Sequence, residues 1–297
     1  MTKQYESLYQ RPETQDRTKI FAHFKLPLVP WVSGVEDGPK IERWLPFHPL
    51  ADLAQGERWQ SDAMVDGVRK YPEGNLEILA SHLHFTFLRL QEEGKILFSK
   101  DGSRACFNTG LLDRRDGCDI YAFFARNRTG GDHPDWDFAQ CCTKPDAVAR
   151  HWMEGFPGFP EVAEYYDAES CRDLFFHLDC PTIVVEGHIV EDHLGRFPPP
   201  FRDDLNLATV AVQRAVGRLY AQLKRNYKLA VPIWHEGRIQ LLLPLCLTDS
   251  NKADLALVVE RVDDRKCYVA KTILTLDMAY QGARLICRPD SEWLKGY

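Results

Sequence analysis

No stretch of this chain is apolar for the roughly 18–20 residues needed to span a bilayer. The opening residues, "MTKQYESLYQRPETQDRTK", lack the apolar heart of a signal peptide. These two absences set the expectation of a cytoplasmic protein. The nine cysteines contain no C-x-x-C pair, and several lie inside apolar runs, where a thiol behaves as a small hydrophobe. Their odd number fits a reducing compartment better than a disulfide framework. A basic excess is missing too. The net charge is -6, the wrong sign for a protein that coats DNA with its whole surface. A local basic groove on an acidic body is still compatible with that total.

Catalytic signatures are equally scarce. The chain has no phosphate-binding P-loop, no G-x-G-x-x-G, no G-x-S-x-G and no H-E-x-x-H. His82 and His84 stand two apart on an expected helix and so point to different faces. Cys118, His133, Cys141 and Cys142 fit no standard zinc spacing. No metal and no cofactor are therefore expected. Glu186 with His188, or Glu191 with His193, would share a face if "VVEGHIVEDH" were a strand, but solvated polar positions explain them as well.

What is present reads as a folded α+β chain. Hydrophobic residues at 44% and charged ones at 27% are ordinary globular values, which argues against disorder. From Asn75, the residues Leu76, Leu79, Leu83, Phe87 and Leu90 recur at helical spacing, and Gly94 supplies a stop. Asp101-Gly102 then predicts a type I′ hairpin, and "DIYAFFARN" a further strand. After the triple proline at 198–200, a long amphipathic helix is expected over Asp204–Tyr227. It has Leu205, Val212, Val216, Leu219 and Leu223 on one face, with Arg214, Arg218 and Arg225 within about 40° on the other.

The remainder, "AVPIWHEGRIQLLLPLCL", "ADLALVVERV" and "KCYVAKTILTL", reads as an antiparallel meander, with a closing helix after Thr275. Pro244 requires a bulge or an edge. The expected organisation is a polar arm over residues 1–20 and a single α+β domain over 21–297, with an internal boundary near 198–203. Residues 1–45 and 145–200 carry no clear period.

The sharpest chemistry is basic. Asn108, Thr109 and Gly110 form a corner between apolar strands, where backbone amides turned by the glycine would suit an anion. Arg114 and Arg115 follow it. Lys228, Lys271, Arg284 and Arg288 adjoin apolar elements elsewhere, and arginine offers phosphate a planar fork. The expectation is that the FNTGLLDRR corner, Lys271 and "ARLICRPD" converge on one phosphate-binding site. His235 is the candidate acid or base there, and Arg214, Arg218 and Arg225 form a candidate face for a protein partner.

"LEILASHLHFTFLRLQEEGKILFSKDGSRACFNTGLLDRRDGCDIYAFF" resembles the N-terminal half of the bacterial domain-of-unknown-function 3825 family. "LLLPLCLTDSNKADLALVVER" and "KTILTLDMAYQGARLICRPDSEWL" resemble its C-terminal half, so that the likeness runs over about residues 20–294. Members are often joined to LOTUS-type RNA-binding domains, and the resemblance therefore implies work on or near RNA. It carries no assigned catalytic residues. The expected function is RNA or nucleotide association through the basic residues, with metal-independent processing as its catalytic extension. The alternatives are a non-catalytic protein-interaction module and an enzyme acting on a small phosphorylated metabolite.

Overall fold

The computed structural model describes residues 3–11, 13–14, 16–24, 46–65, 68–129, 131–144, 146–181, 183–185 and 187–295. The chain divides into two compact units. One comprises Met1–Ser61 with Pro72–Glu164, the other Asp62–Tyr71 with Tyr165–Tyr297. This differs from the single domain expected from sequence, and the division falls at Glu164/Tyr165 rather than at the proline run. The first residues are also not merely a polar arm, because Tyr5, Leu8 and Ile20 are buried.

In chain order the elements begin with β1 (Ala22–His23) and α1 (His48–Leu53). The short hairpin of β2 (Met64–Val65) and β3 (Val68–Arg69) clusters with the second unit. The first unit resumes with α2 (Glu77–Glu92), β4 (Leu97–Phe98), β5 (Arg104–Leu112), β6 (Asp119–Arg126), β7 (Trp136–Thr143) and α3 (Ala147–Trp152). Its strands form one sheet in the order β1-β7-β6-β5-β4, antiparallel except for β1 beside β7.

Helix α2 forms where the periodic leucines predict it. Asn75 holds its start by accepting from the Glu77 and Ser61 amides, and Gly94 ends it at φ +69°. Ile78, Leu79, Leu83, Phe87 and Leu90 are all buried, with Phe87 5.8 Å from Phe107 of β5. Cys106, Tyr121, Phe123 and Cys142 face the other way, against Ala149 and Trp152. Arg104 fastens that layer by donating to the His151, Trp152 and Glu154 carbonyls at and just beyond the end of α3. The β4–β5 hairpin is longer than the expected two-residue turn. Phe98 pairs with Ala105, and Asp101 organises the loop by accepting from Ser99 and Ser103.

The second unit contains β8 (Ile183–Val184), α4 (Gly187–Asp192), α5 (Leu205–Leu223), β9 (Val231–His235), β10 (Arg238–Leu245), β11 (Leu255–Val262), β12 (Cys267–Leu274), α6 (Leu276–Ile286) and α7 (Glu292–Lys295). The sheet order is β8-β12-β11-β10-β9, so the expected antiparallel meander is present with its closing helix. Helix α5 starts at the predicted cap, with Asp204 accepting from the Leu207 amide, and buries Ala208, Val212, Ala215, Leu219 and Leu223 against Leu241, Leu243, Leu257 and Val259. It stops at Leu223, so Arg225 lies beyond the helix that was expected to carry it.

Pro244 is tolerated because β9 pairs with β10 only as far as Leu242. Beyond that point no strand among the described residues pairs with that edge of β10, so no amide is needed there. Glu236 and Gly237 make the tight turn between β9 and β10, with φ +47° and +79°, both positive as a type I′ turn requires.

Candidate functional site

The Asn-Thr-Gly corner is a bulge. Asn108 pairs with Tyr121 and Leu112 with Asp119, leaving Thr109, Gly110 and Leu111 opposite the single residue Ile120. Thr109 Oγ1 donates to the Ile120 carbonyl at 2.8 Å and accepts from the Leu111 amide at 3.3 Å. Asn108 Oδ1 accepts from the Gly110 amide at 2.9 Å. His82 Nε2 lies 3.0 Å from the Thr109 carbonyl oxygen. Gly110 sits at φ +69°, and a Cβ there would meet the His82 ring at 3.6 Å. Asn108 and Thr109 are 1% and 0% exposed. The Gly110 and Leu111 amides, at the corner expected to cradle an anion, are thus held by the corner's own side chains.

Arg114 and Arg115 follow in an exposed loop that Asp113 organises from a buried position. Its carboxylate accepts from the Arg115 and Asp116 amides, while the Arg114 amide donates to the Leu53 carbonyl. The ion pairs and hydrogen bonds of the described residues leave both guanidinium groups free.

Lys271, Arg284, Lys228, Arg288 and His235 all belong to the second unit, whereas the FNTGLLDRR corner belongs to the first. A lysine in an otherwise apolar strand requires a partner or an opening to solvent, and Lys271 has both. It is the extra residue of a bulge, because Ala270 pairs with Val259 and Thr272 with Val258, and its side chain is exposed. Its ammonium lies 3.8 Å from Glu260, which also accepts from Gln240 at 2.8 Å and from Arg238 at 3.0 Å. Burial raises the Glu260 pKa, but the Gln240 hydrogen bond and the charges of Lys271 and Arg238 outweigh it and hold the carboxyl below its usual range. His235 pairs across the hairpin with Arg238 and is exposed, 3.9 Å from Glu236. The sequence reading missed Arg238, Gln240 and Glu260. Their period-two spacing on β10 opposite a lone strand glutamate was the available signal.

Lys228 meets the C-terminal segment. Its ammonium is 2.7 Å from Asp290, which raises the lysine pKa, and exposed Arg288 lies two residues before that aspartate. Ser291 donates to the Lys228 carbonyl and Trp293 to that of Leu229. Arg284 is buried on α6, so it does not present a guanidinium to water as expected.

Next to Lys228 is a feature the sequence reading did not single out. Tyr227 is 64% exposed, and its ring centroid is 6.1 Å from that of Phe175, which is 52% exposed. Tyr220 hydrogen-bonds the Leu178 carbonyl and carries Lys224 over its ring at 4.5 Å. Arg225 donates to the Ala221 carbonyl at the end of α5, and Arg218 to that of Cys246. Tyr227, one of two water-facing rings, thus stands in the chain between Lys224-Arg225 and Lys228. Phe175 falls in a segment without period, which is why residue spacing did not reveal the pair.

The remaining chemical candidates do not assemble. Residues 187–192 form a helix, so Glu191 and His193 do not share a strand face; Glu186 lies outside the described residues. His193 Nε2 is 2.6 Å from Thr272 Oγ1, and burial pushes its pKa down. Among the described residues no group of three or more His, Cys, Asp or Glu side chains is placed to hold a metal ion. Burial raises the Cys106 thiol well above its ordinary value and pushes Cys142 up to about 12, which makes both poor nucleophiles.

No curated protein and no solved structure matches the chain. A family model does, described as Domain of unknown function (DUF3825), over residues 50–293. That span begins later than the likeness read from about residue 20, and it includes both the bulged corner and the Phe175–Tyr227 pair. Since it covers well over half of the 297 residues, the chain belongs to this family.

Proposed function

We propose that the protein associates with RNA or nucleotides, and that its second unit binds single-stranded RNA. Bases stack on Phe175 and Tyr227, while Lys224, Arg225, Lys228 and Arg288 meet the phosphates. The observation that carries this reading is the exposed pair of rings 6.1 Å apart, with Lys224, Arg225 and Lys228 within three residues of Tyr227 in the chain. Large rings are normally withdrawn from water, and a surface that offers two of them among cations suits a strand with flat bases and a charged backbone. A net charge of -6 does not oppose it, because local fields steer a ligand.

The test is retention of end-labelled RNA and DNA oligonucleotides across a salt series, with and without added divalent metal. Salt-sensitive retention that weakens in Phe175→Ala/Tyr227→Ala supports the reading. Product bands would add the catalytic extension, with His235, Arg238 and Lys271 around Glu260 as the first residues to replace. A second reading, a protein partner, is favoured by one observation. Leu207 and Val210 are exposed on α5 on the side that carries Arg214.

A further inference from the structure

The first unit holds a cavity of about 350 Å³, within the range of roughly 300–1,000 Å³ typical of small-molecule sites. Its walls are aromatic. Phe24 and Phe47 stack with centroids 5.2 Å apart and planes 27° apart, and Tyr9 stands edge-on to them at 5.8 and 5.4 Å. Phe138 backs Phe24 at 4.5 Å and 9°, so these rings are held before any ligand arrives. The lining also includes Arg17, His23 and His133.

Local structure explains how these three residues come together. Asp16 caps the short turn Arg17–Lys19, and the pairing of His23 with Asp137 brings β1 alongside the start of β7, which follows His133. Asp137 Oδ1 lies 3.6 Å from His23 Nδ1. Arg17 is exposed, and its guanidinium has no partner among the described residues. Gln10 also lines the cavity; its amide nitrogen donates to the Thr14 and Arg11 carbonyls, so its side-chain oxygen is the atom left to accept.

We propose that this cavity binds a nucleoside monophosphate, either free or as the terminal nucleotide of an RNA. The base lies against Tyr9, Phe24 and Phe47, and the phosphate meets Arg17, His23 and His133. The aromatic walls select a flat ring, and the Arg17 guanidinium with the ring N–H groups of His23 and His133 selects an anion attached to it. The Gln10 oxygen favours a ring bearing N–H groups over a plain aryl acid. Most of the wall comes from residues before position 50, where the family match begins. The proposal rests on this cavity and is independent of the RNA surface of the second unit.

Isothermal titration of the full chain with AMP, GMP, CMP and UMP tests it. Adenosine and inorganic phosphate serve as partial ligands, and 5′-phosphorylated tetranucleotides form a second arm. The expected result is saturable binding of at least one monophosphate or tetranucleotide, weakened tenfold or more by Arg17→Ala and by Tyr9→Leu. Adenosine and phosphate each bind more weakly, and Phe175→Ala/Tyr227→Ala leaves the monophosphate affinity unchanged. Binding of tetranucleotides alone would assign the site to an RNA end. His133→Ala, an exposed position, guards against a misfolded Tyr9 variant, and thermal melts verify the fold. No saturable binding in either arm, or affinity unchanged in Arg17→Ala and His133→Ala, overturns the proposal.

Discussion

Asn108 and Thr109 in the first unit, and Phe175 and Tyr227 in the second, depart from ordinary burial in opposite directions. The first two are polar and lie in the interior; the other two are aromatic and face water. Buried polar atoms must find partners, and those of the corner find them within three residues and on the facing strand. The corner's hydrogen-bonding capacity is spent on shaping a bulge, which leaves little for a ligand. The exposed rings are the converse, with apolar surface that the fold of the second unit does not cover. A polar motif between strands is thus weaker evidence of a binding site than an aromatic pair that the core leaves out.

This contrast can be broken by perturbing buried polar groups and exposed groups in turn. The largest effect is expected at His84, another buried polar residue of the first unit, where the Leu8 amide donates to Nδ1. Burial, with the nearby Arg11 charge, pushes its pKa down to about 3. The unfolded chain binds that proton near pH 6.5 and the folded one does not. Stability from this group is therefore complete above about pH 6.5 and falls as the pH drops toward 3. Between pH 6.5 and 4.5 the loss is about 2 kcal/mol. Urea midpoints at the two pH values should differ much less in His84→Gln than in the wild type.

A smaller effect is expected at the corner. Thr109→Val strands the Ile120 carbonyl and the Leu111 amide and should destabilise the protein by about 1–3 kcal/mol. RNA retention at a temperature where the variant is folded should not change. A retention loss there would return the corner to the binding site and undo the contrast. Smaller still is the effect of Lys224→Ala/Arg225→Ala. Stability should stay within about 0.5 kcal/mol, while the slope of log affinity against log salt drops by about 1.4, near 0.7 for each lost phosphate contact. An unchanged slope would leave the rings without their electrostatic partners.

Much of the fold was legible because it rests on periodicity. The leucines of α2, the narrow apolar face of α5, the meander runs and the Thr275 cap all act locally. Pro244 was legible as an edge signal for the same reason. The site was less legible. Residue types showed that Asn108, Thr109 and Gly110 were unusual, but spacing does not say which amides are already bonded. The exposure of Lys271 was not legible because a bulge leaves almost no trace in a single strand, and the burial of Arg284 depends on what packs against α6. Phe175 and Tyr227 meet across 52 positions of chain, a contact that no local pattern encodes.

The central claim, that the exposed rings and not the polar corner engage RNA, is tested most directly by one salt series. Retention of a labelled single-stranded RNA would be compared for the wild type, Phe175→Ala/Tyr227→Ala and Arg114→Ala/Arg115→Ala. Stacking is worth about 1–3 kcal/mol per base, so losing both rings should weaken retention by roughly thirtyfold or more at every salt concentration. The arginine variant should lose only a few-fold, and chiefly at low salt. Unchanged retention in the ring variant, or a larger loss in the arginine variant, would contradict the account and return the search to the first unit.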